Sequence, residues 1–169
     1  MGDKHIGNRI IILGFHGCGR DRFAEKLQIK TGLPLIHLRD IPLPAHWENI
    51  PQEEIDQKVE EMIIGEKWIF EGDHYRTHSV LFRSCDMIVF LDYTETLYMN
   101  GTMERINKEL AAMSSSSFLY EQYSRTENLI CFYHKHIRKR VYRLIEKYPD
   151  KQAVVLTTSL QADEWLSAI

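Results

Sequence analysis

Five short apolar runs punctuate the chain: Arg9–Leu13, Leu35–Leu38, Trp68–Glu71, Met87–Leu91 and Ala153–Leu156. All are rich in Ile, Val or Leu and none alternates with polar residues, which is the pattern of strands buried on both faces. Helical patterns lie between them. One runs from about Arg22 to Lys30. A second opens at Pro51-Gln52-Glu53-Glu54, with proline in the first turn and acids near the positive helix end, and runs to about Ile64, where Gly65 stops it. Thr94 caps a third that continues toward Met113, before the Ser114–Ser117 run breaks the pattern. A long helical stretch follows from about Phe118 to Tyr148 and ends at Pro149. Ser159 opens a last short helix with Leu160, Trp165, Leu166 and Ile169 as its apolar positions. Strands alternating with helices predict an α/β fold of three layers, a parallel five-stranded sheet with helices on both faces.

Composition narrows the class. At 169 residues the chain fits a single domain, 1–169, long enough to bury roughly 70% of its unfolded surface. The helical stretch at about 94–148 is a candidate lid or substrate-binding region within it. The balance of 21 basic and 24 acidic residues, net −3, argues against nucleic acid as the partner, since that affinity rests on phosphate neutralisation. No apolar run approaches the roughly 20 residues of a membrane span, and the N-terminus lacks a signal-peptide core. The three cysteines, Cys18, Cys85 and Cys131, lack metal spacing and read as free thiols of a cytoplasmic protein. Oligomeric state leaves no trace in the sequence.

The chemistry concentrates where the first strand ends. Arg9–Leu13 leads into Gly14-Phe15-His16-Gly17-Cys18-Gly19-Arg20-Asp21, followed by a helix. This is the strand–glycine loop–helix setting of the phosphate-binding motif G-x-x-x-x-G-K-[ST]. Gly14 and Gly19 hold the two glycine positions. Arg20 stands where lysine reaches the phosphates, and Asp21 where a hydroxyl holds Mg²⁺. Glycines allow successive N–H groups to point at an anion, and the helix adds its positive end, so Gly14, Gly17, Cys18, Gly19, Arg20 and Asp21 form the expected nucleotide cradle. Arg20 keeps a cation but as a planar fork. Asp21 sets a carboxylate against phosphate oxygens, a repulsion of roughly 4 kcal/mol at about 4 Å and an effective dielectric of 20. Bound Mg²⁺ would reverse that sign, because carboxylates ligate it well. The bland alternative is a relic loop that only joins strand to helix.

With the loop in place, the chain resembles the nucleoside and nucleotide kinase branch of P-loop proteins. Within that branch it is most similar to the bacterial DNA topology modulation protein family, which is adenylate-kinase-related. The residues that carry the likeness are Thr31-Gly32-Leu33-Pro34-Leu35-Ile36-His37-Leu38, Trp47, Trp68-Ile69-Phe70-Glu71-Gly72 and Val89-Phe90-Leu91-Asp92. They span most of the first 110 residues; after Ser114 the match is weak. The resemblance implies the strand order 2-3-1-4-5, ATP or another nucleoside triphosphate with Mg²⁺ as cofactor, and phosphoryl transfer to a small molecule. The departures fall on functional positions. Arg20 and Asp21 replace the family's Lys and Ser/Thr, so the Walker A loop is altered. Arg39 follows His37-Leu38 where the family has Asp, and Asp40 comes one place later. Glu71-Gly72 replaces Asp-Gly. Aligned on Leu91-Asp92, Gly101 stands at the adenine-stacking arginine of adenylate kinases and Arg105 at the arginine that contacts the transferring phosphate.

Each candidate role has a plainer rival. Glu71, ending a strand beside the loop, would orient Mg²⁺ together with Asp21, or else is a solvated strand end. Arg20 and Arg105 are the candidate catalytic cations that neutralise the moving phosphoryl group; Arg105 is otherwise a surface charge. Arg138, Lys139, Arg140 and Arg143 form either a phosphate clamp or, preferably, a solvated basic face. His134 and His136 lie two apart on a helix and cannot easily share one ion. His16 either donates to a phosphate or fills the loop. Cys18 is near a helix start, which would lower its thiol pKa, but a small residue between glycines is the preferred reading. Trp47 stacks on an acceptor or packs its own loop. Two functions stay open. One is a nucleotide-binding kinase relative with weakened ATP-dependent phosphoryl transfer; the other is a non-catalytic sensor of a phosphorylated ligand.

Overall fold

A computed structural model of the protein describes residues 6–15, 17–41, 49–93 and 128–169. The five apolar runs all become strands: β1 Arg9–Gly14, β2 Leu35–His37, β3 Trp68–Glu71, β4 Met87–Leu91 and β5 Gln152–Leu156. They form one sheet of order β2-β3-β1-β4-β5 with every neighbouring pair parallel. The expected order is therefore observed. Ile10, Ile11, Ile12 and Leu13 are fully buried, as are Ile88, Val89, Phe90 and Leu91 beside them. A strand covered on both faces has no use for polar alternation, which is why these runs read as continuous apolar sequence.

Helices pack around the sheet as α1 Arg20–Thr31, α2 Gln52–Met62, α3 His78–Ser84, α4 Arg138–Lys147 and α5 Ser159–Ser167. Helix α1 begins two residues earlier than the sequence pattern predicts. Gly19, at φ 85° in the left-handed region, ends the loop and launches the helix directly at Arg20. Strand β2 stops at His37, one residue short of expectation, because Leu38–Asp40 tightens into a 3₁₀ turn. Residues 128–132 are helical and run through a π-helical turn at Tyr133–Ile137 into α4. The sequence pattern gives no sign of α3, which is only seven residues long. The expected helix from Thr94 toward Met113, the Ser114–Ser117 break and the start of the 118–148 stretch lie outside the described residues, as do His16, Trp47 and Arg105.

The register decides what meets what at the carboxyl edge of the sheet. Glu71 stands beside Ile12 of β1 on one side and His37 of β2 on the other. In-register neighbours in a sheet present their side chains on the same face. His37 and Glu71 therefore share a face, two residues from the start of the glycine loop. The chain leaves β3 through Gly72 at φ 147°, where an added Cβ would fall 2.2 Å from the Cβ of Leu38. Both the positive φ and the contact require glycine. Gly72→Ala is expected to destabilise the fold by about 1–3 kcal/mol, read as a lower midpoint in urea unfolding; an unchanged midpoint would show that the β2 end can yield at no cost.

Candidate functional site

Gly14, Gly17 and Gly19 take φ values of 149°, 92° and 85°, all in the region that favours glycine. The loop they shape curls from the end of central strand β1 to the start of α1, whose first N–H groups have no intrahelical partner and face the loop. Cys18 closes a turn through its N–H to the Phe15 carbonyl at 3.2 Å. Its sulfur tucks inward, so that a Cβ on Gly14 would lie 3.0 Å from Sγ and 2.8 Å from the Leu91 carbonyl oxygen. Burial pushes the Cys18 thiol up to about 12, despite the Arg20 charge nearby. The helix start does not make this a reactive thiolate. Cys18 is packing.

Arg20 is the residue that most distinguishes this loop. Its guanidinium turns back into the protein, where Nη1 donates to the Gly14 carbonyl. Nε lies 3.0 Å from Glu71 Oε1, an ion pair with side chains 12% and 5% exposed. Nε makes no directed hydrogen bond there, so the attraction is chiefly electrostatic. Glu71 is thus not a solvated strand end. It offers its other oxygen, Oε2, to His37 Nδ1 at 3.0 Å. Asp21 stands at the exposed rim, where its Oδ1 accepts from Arg39 Nη1 at 2.8 Å and lies 3.7 Å from His37 Nδ1. The structure brings Asp21 and Glu71 near each other, and adds what the sequence did not reveal, His37 between them and the two arginines that engage them.

These partners bear on Mg²⁺. That ion prefers near-octahedral oxygen ligands at about 2.0–2.1 Å and gives up its water reluctantly. Here the two carboxylates are engaged by Arg20 and Arg39, and the third group facing them is an imidazole nitrogen. The donor set does not fit an oxygen-only Mg²⁺ site.

A second carboxylate network supports the loop from beneath. Asp73 has a fully buried side chain and accepts from the Gly14 N–H at 3.1 Å and Tyr133 Oη at 2.9 Å. His78 Nε2 meets its other oxygen at 2.7 Å. His78 is equally buried, and its Nδ1 has no hydrogen-bond partner among the described residues. A third carboxylate, Asp92, follows β4 and is gripped at both oxygens by Arg138, Nε at 2.7 Å and Nη2 at 2.8 Å, with Tyr142 Oη at 2.5 Å. Arg138 therefore leaves the basic cluster to lock α4 onto the sheet edge, while Lys139, Arg140 and Arg143 are exposed as a solvated face. Sequence reasoning passed over Asp73, His78, Tyr133 and the Asp92–Arg138 pair. Only the buried ends of two strands, Glu71-Gly72-Asp73 and Leu91-Asp92, carried a hint.

No protein-family model and no curated protein matches the chain. Solved structures do. Shikimate kinase of Bacteroides thetaiotaomicron is 16% identical, with 96% of each chain covered and a TM-score of 0.56. Shikimate kinase of Acinetobacter baumannii, solved in complex with shikimate, is 14% identical over 94% of this chain and 88% of its own, TM-score 0.58. A gluconokinase of Sinorhizobium meliloti 1021 is 16% identical over 95% and 91%, TM-score 0.52. The chain shares the fold of these shikimate kinases and this gluconokinase. Among the described residues, no helix is long and apolar enough to cross a membrane.

Asp73 has a consequence for pH dependence. Burial opposes its charge, but the hydrogen bond and charge of His78, then Arg20 and Tyr133, outweigh it and hold the carboxyl below its usual range. A depressed folded-state pKa contributes stability above the unfolded value of about 3.9, and loses it as pH falls through the folded value. Asp73→Asn is expected to cost about 1–3 kcal/mol at pH 7. The gap to the wild type should narrow below about pH 4. Urea unfolding of both proteins between neutral and acid pH tests this; a gap constant across that range would refute the assignment.

Proposed function

We propose that this chain is a P-loop protein that binds a nucleoside triphosphate in the glycine-loop cradle and transfers its phosphoryl group to a small molecule only slowly. The observation that carries the reading is the position of Arg20. The backbone of the cradle is shaped for an anion, but the cation at the lysine position is committed to Glu71 and the Gly14 carbonyl. A triphosphate draws binding from the loop amides and the helix end. To gain transition-state contacts it must also draw Arg20 away from a buried carboxylate. Losing one such positioned contact costs about 2.7–4 kcal/mol of the barrier. Kinship with the bacterial DNA topology modulation proteins is part of this proposal, resting on the ordered motifs through Leu91-Asp92.

One cavity borders the loop and a second opens elsewhere on the molecule. One of about 280 Å³ is bounded by Cys18, Gly19, Arg22, Phe23, Tyr93 and Ser159, and it suits the base and ribose. Another, of about 310 Å³, lies among Gln52, Tyr75, Arg76, Ser79 and Arg140 and gives the acceptor a polar, cationic berth. The rival reading, a non-catalytic sensor of a phosphorylated ligand in the cytoplasm, draws on the same Arg20 contact, which an anion could release without chemistry. Arg105 as a catalytic cation belongs to the kinase reading alone, and because Asp21 and Glu71 are engaged by arginines the Mg²⁺ of that reading would be held by the nucleotide's own phosphates.

Thermal melting with ATP, GTP and phosphate, each with and without Mg²⁺, tests binding; ligand at 100 times its Kd stabilises by about 2.7 kcal/mol. Asp21→Ser removes the rim carboxylate and supplies the missing hydroxyl. We expect ATP affinity to rise by up to about tenfold, measured by titration calorimetry, because the repulsion from the rim carboxylate, already weakened by Arg39 and solvent, is relieved. Arg20→Lys with Asp21→Ser should behave most like an ordinary kinase loop. Wild-type turnover near the typical enzyme median of about 10 s⁻¹ on an ordinary nucleoside would contradict the slow-transfer reading. No ATP binding in any of the three proteins would contradict the cradle itself.

A further inference from the structure

We propose that Asp21, His37 and Glu71 form a site for a divalent first-row transition metal, Zn²⁺ or Mn²⁺, in preference to Mg²⁺. The site goes beyond the nucleotide reading and stands without it. Three separate elements converge on it, since Asp21 comes from the first turn of α1, His37 from the end of β2 and Glu71 from the end of β3. One ligand atom from each lies within 4.8 Å of the other two. His37 Nδ1 is 3.0 Å from Glu71 Oε2 and 3.7 Å from Asp21 Oδ1. An ion about 2.1 Å from each of its ligands holds ligand pairs roughly 3–4 Å apart, so the trio needs little rearrangement to close on one.

The donor types choose the metal. One imidazole nitrogen with two carboxylates suits zinc, manganese and their neighbours, while an all-oxygen set would suit Mg²⁺. Geometry also shows how the resting protein balances the charge. Arg20 approaches Glu71 at Oε1, the oxygen turned away from His37, so a metal at Oε2 leaves that contact in place. Arg39 does compete. Its Nη1 sits 2.8 Å from Asp21 Oδ1, the oxygen that faces His37, and both of those side chains are more than half exposed. Metal entry therefore swings Arg39 out into solvent, at little cost for a surface pair. A metal would also fix Glu71 and His37 against the loop in the absence of any nucleotide.

The test is titration calorimetry with Zn²⁺, Mn²⁺ and Mg²⁺ on the full chain without nucleotide. His37→Gln keeps a hydrogen-bonding group against Glu71 but removes the soft donor, and Asp21→Asn alters the exposed rim. Melting temperatures without metal confirm that both variants are folded. The expected result is one Zn²⁺ site, with Mg²⁺ weaker by at least about a hundredfold. Both variants should lose at least about tenfold in Zn²⁺ affinity, since even outer-shell partners of a metal site are worth 10–100-fold. Arg39→Gln should tighten Zn²⁺ up to about fivefold, the most that an exposed ion pair returns. Zn²⁺ binding that survives unchanged in both variants, no Zn²⁺ binding, or equal affinity for Mg²⁺ would each overturn the proposal. Failure of ATP to bind in the separate melting experiment would leave this result untouched, and the converse holds too.

Discussion

Glu71 is a carboxylate forced into the protein by the register of the sheet, and the site is organised around its need for partners. It is 4% exposed, and a charge so buried is tolerated only when paired. The pairing comes from two directions. His37 is supplied by the β2–β3 register, which sets it on the same face at the same level. Arg20 is supplied by the loop, which ends at a left-handed Gly19 and so begins its helix with that guanidinium within reach. Arg20 then also satisfies the Gly14 carbonyl and ties the two ends of the loop to each other. One buried charge thereby shapes the loop, holds the Arg20 guanidinium and draws in His37 beside Asp21.

The same logic repeats along the carboxyl edge of the sheet. Asp73 meets the Gly14 N–H, His78 and Tyr133, and Asp92 meets Arg138 and Tyr142. Each buried acid reaches from a strand end to an element later or earlier in the chain. Asp73 links the loop to the π-helical turn at Tyr133–Ile137, the kind of helix irregularity often found at functional sites. A ligand entering this edge therefore meets charges that are already neutralised, and binding has to exchange partners instead of filling a vacancy. Any new contact an anion makes there is therefore offset in part by the partner it displaces.

Most of the fold was legible because its strands are buried on both faces. Residues such as Ile10–Leu13 and Met87–Leu91 have to be apolar throughout, and the runs announced themselves. The loop was legible for a similar reason, as Gly14, Gly17 and Gly19 all carry positive φ that other residues resist. What stayed hidden depends on three-dimensional neighbours. The destination of Arg20 requires the β1–β3 register, and the part played by His37 requires that of β2 and β3. Asp73, only two residues beyond Glu71, gets its role from Gly14 and Tyr133, which come from distant parts of the chain. Helix α3 was missed because seven residues, His78–Ser84, complete too few turns to show a period. Arg138 looked like one more member of a basic face; its role is set by Asp92, 46 positions away.

The central claim is that the loop backbone still receives an anion although Arg20 is held by Glu71. Amide chemical shifts report this directly, with ¹⁵N-labelled protein titrated with inorganic phosphate and then ATP. The account predicts saturable shifts concentrated at the backbone amides of Gly17, Gly19, Arg20 and Asp21. Loop amides that stay unmoved at saturating phosphate and ATP would contradict it.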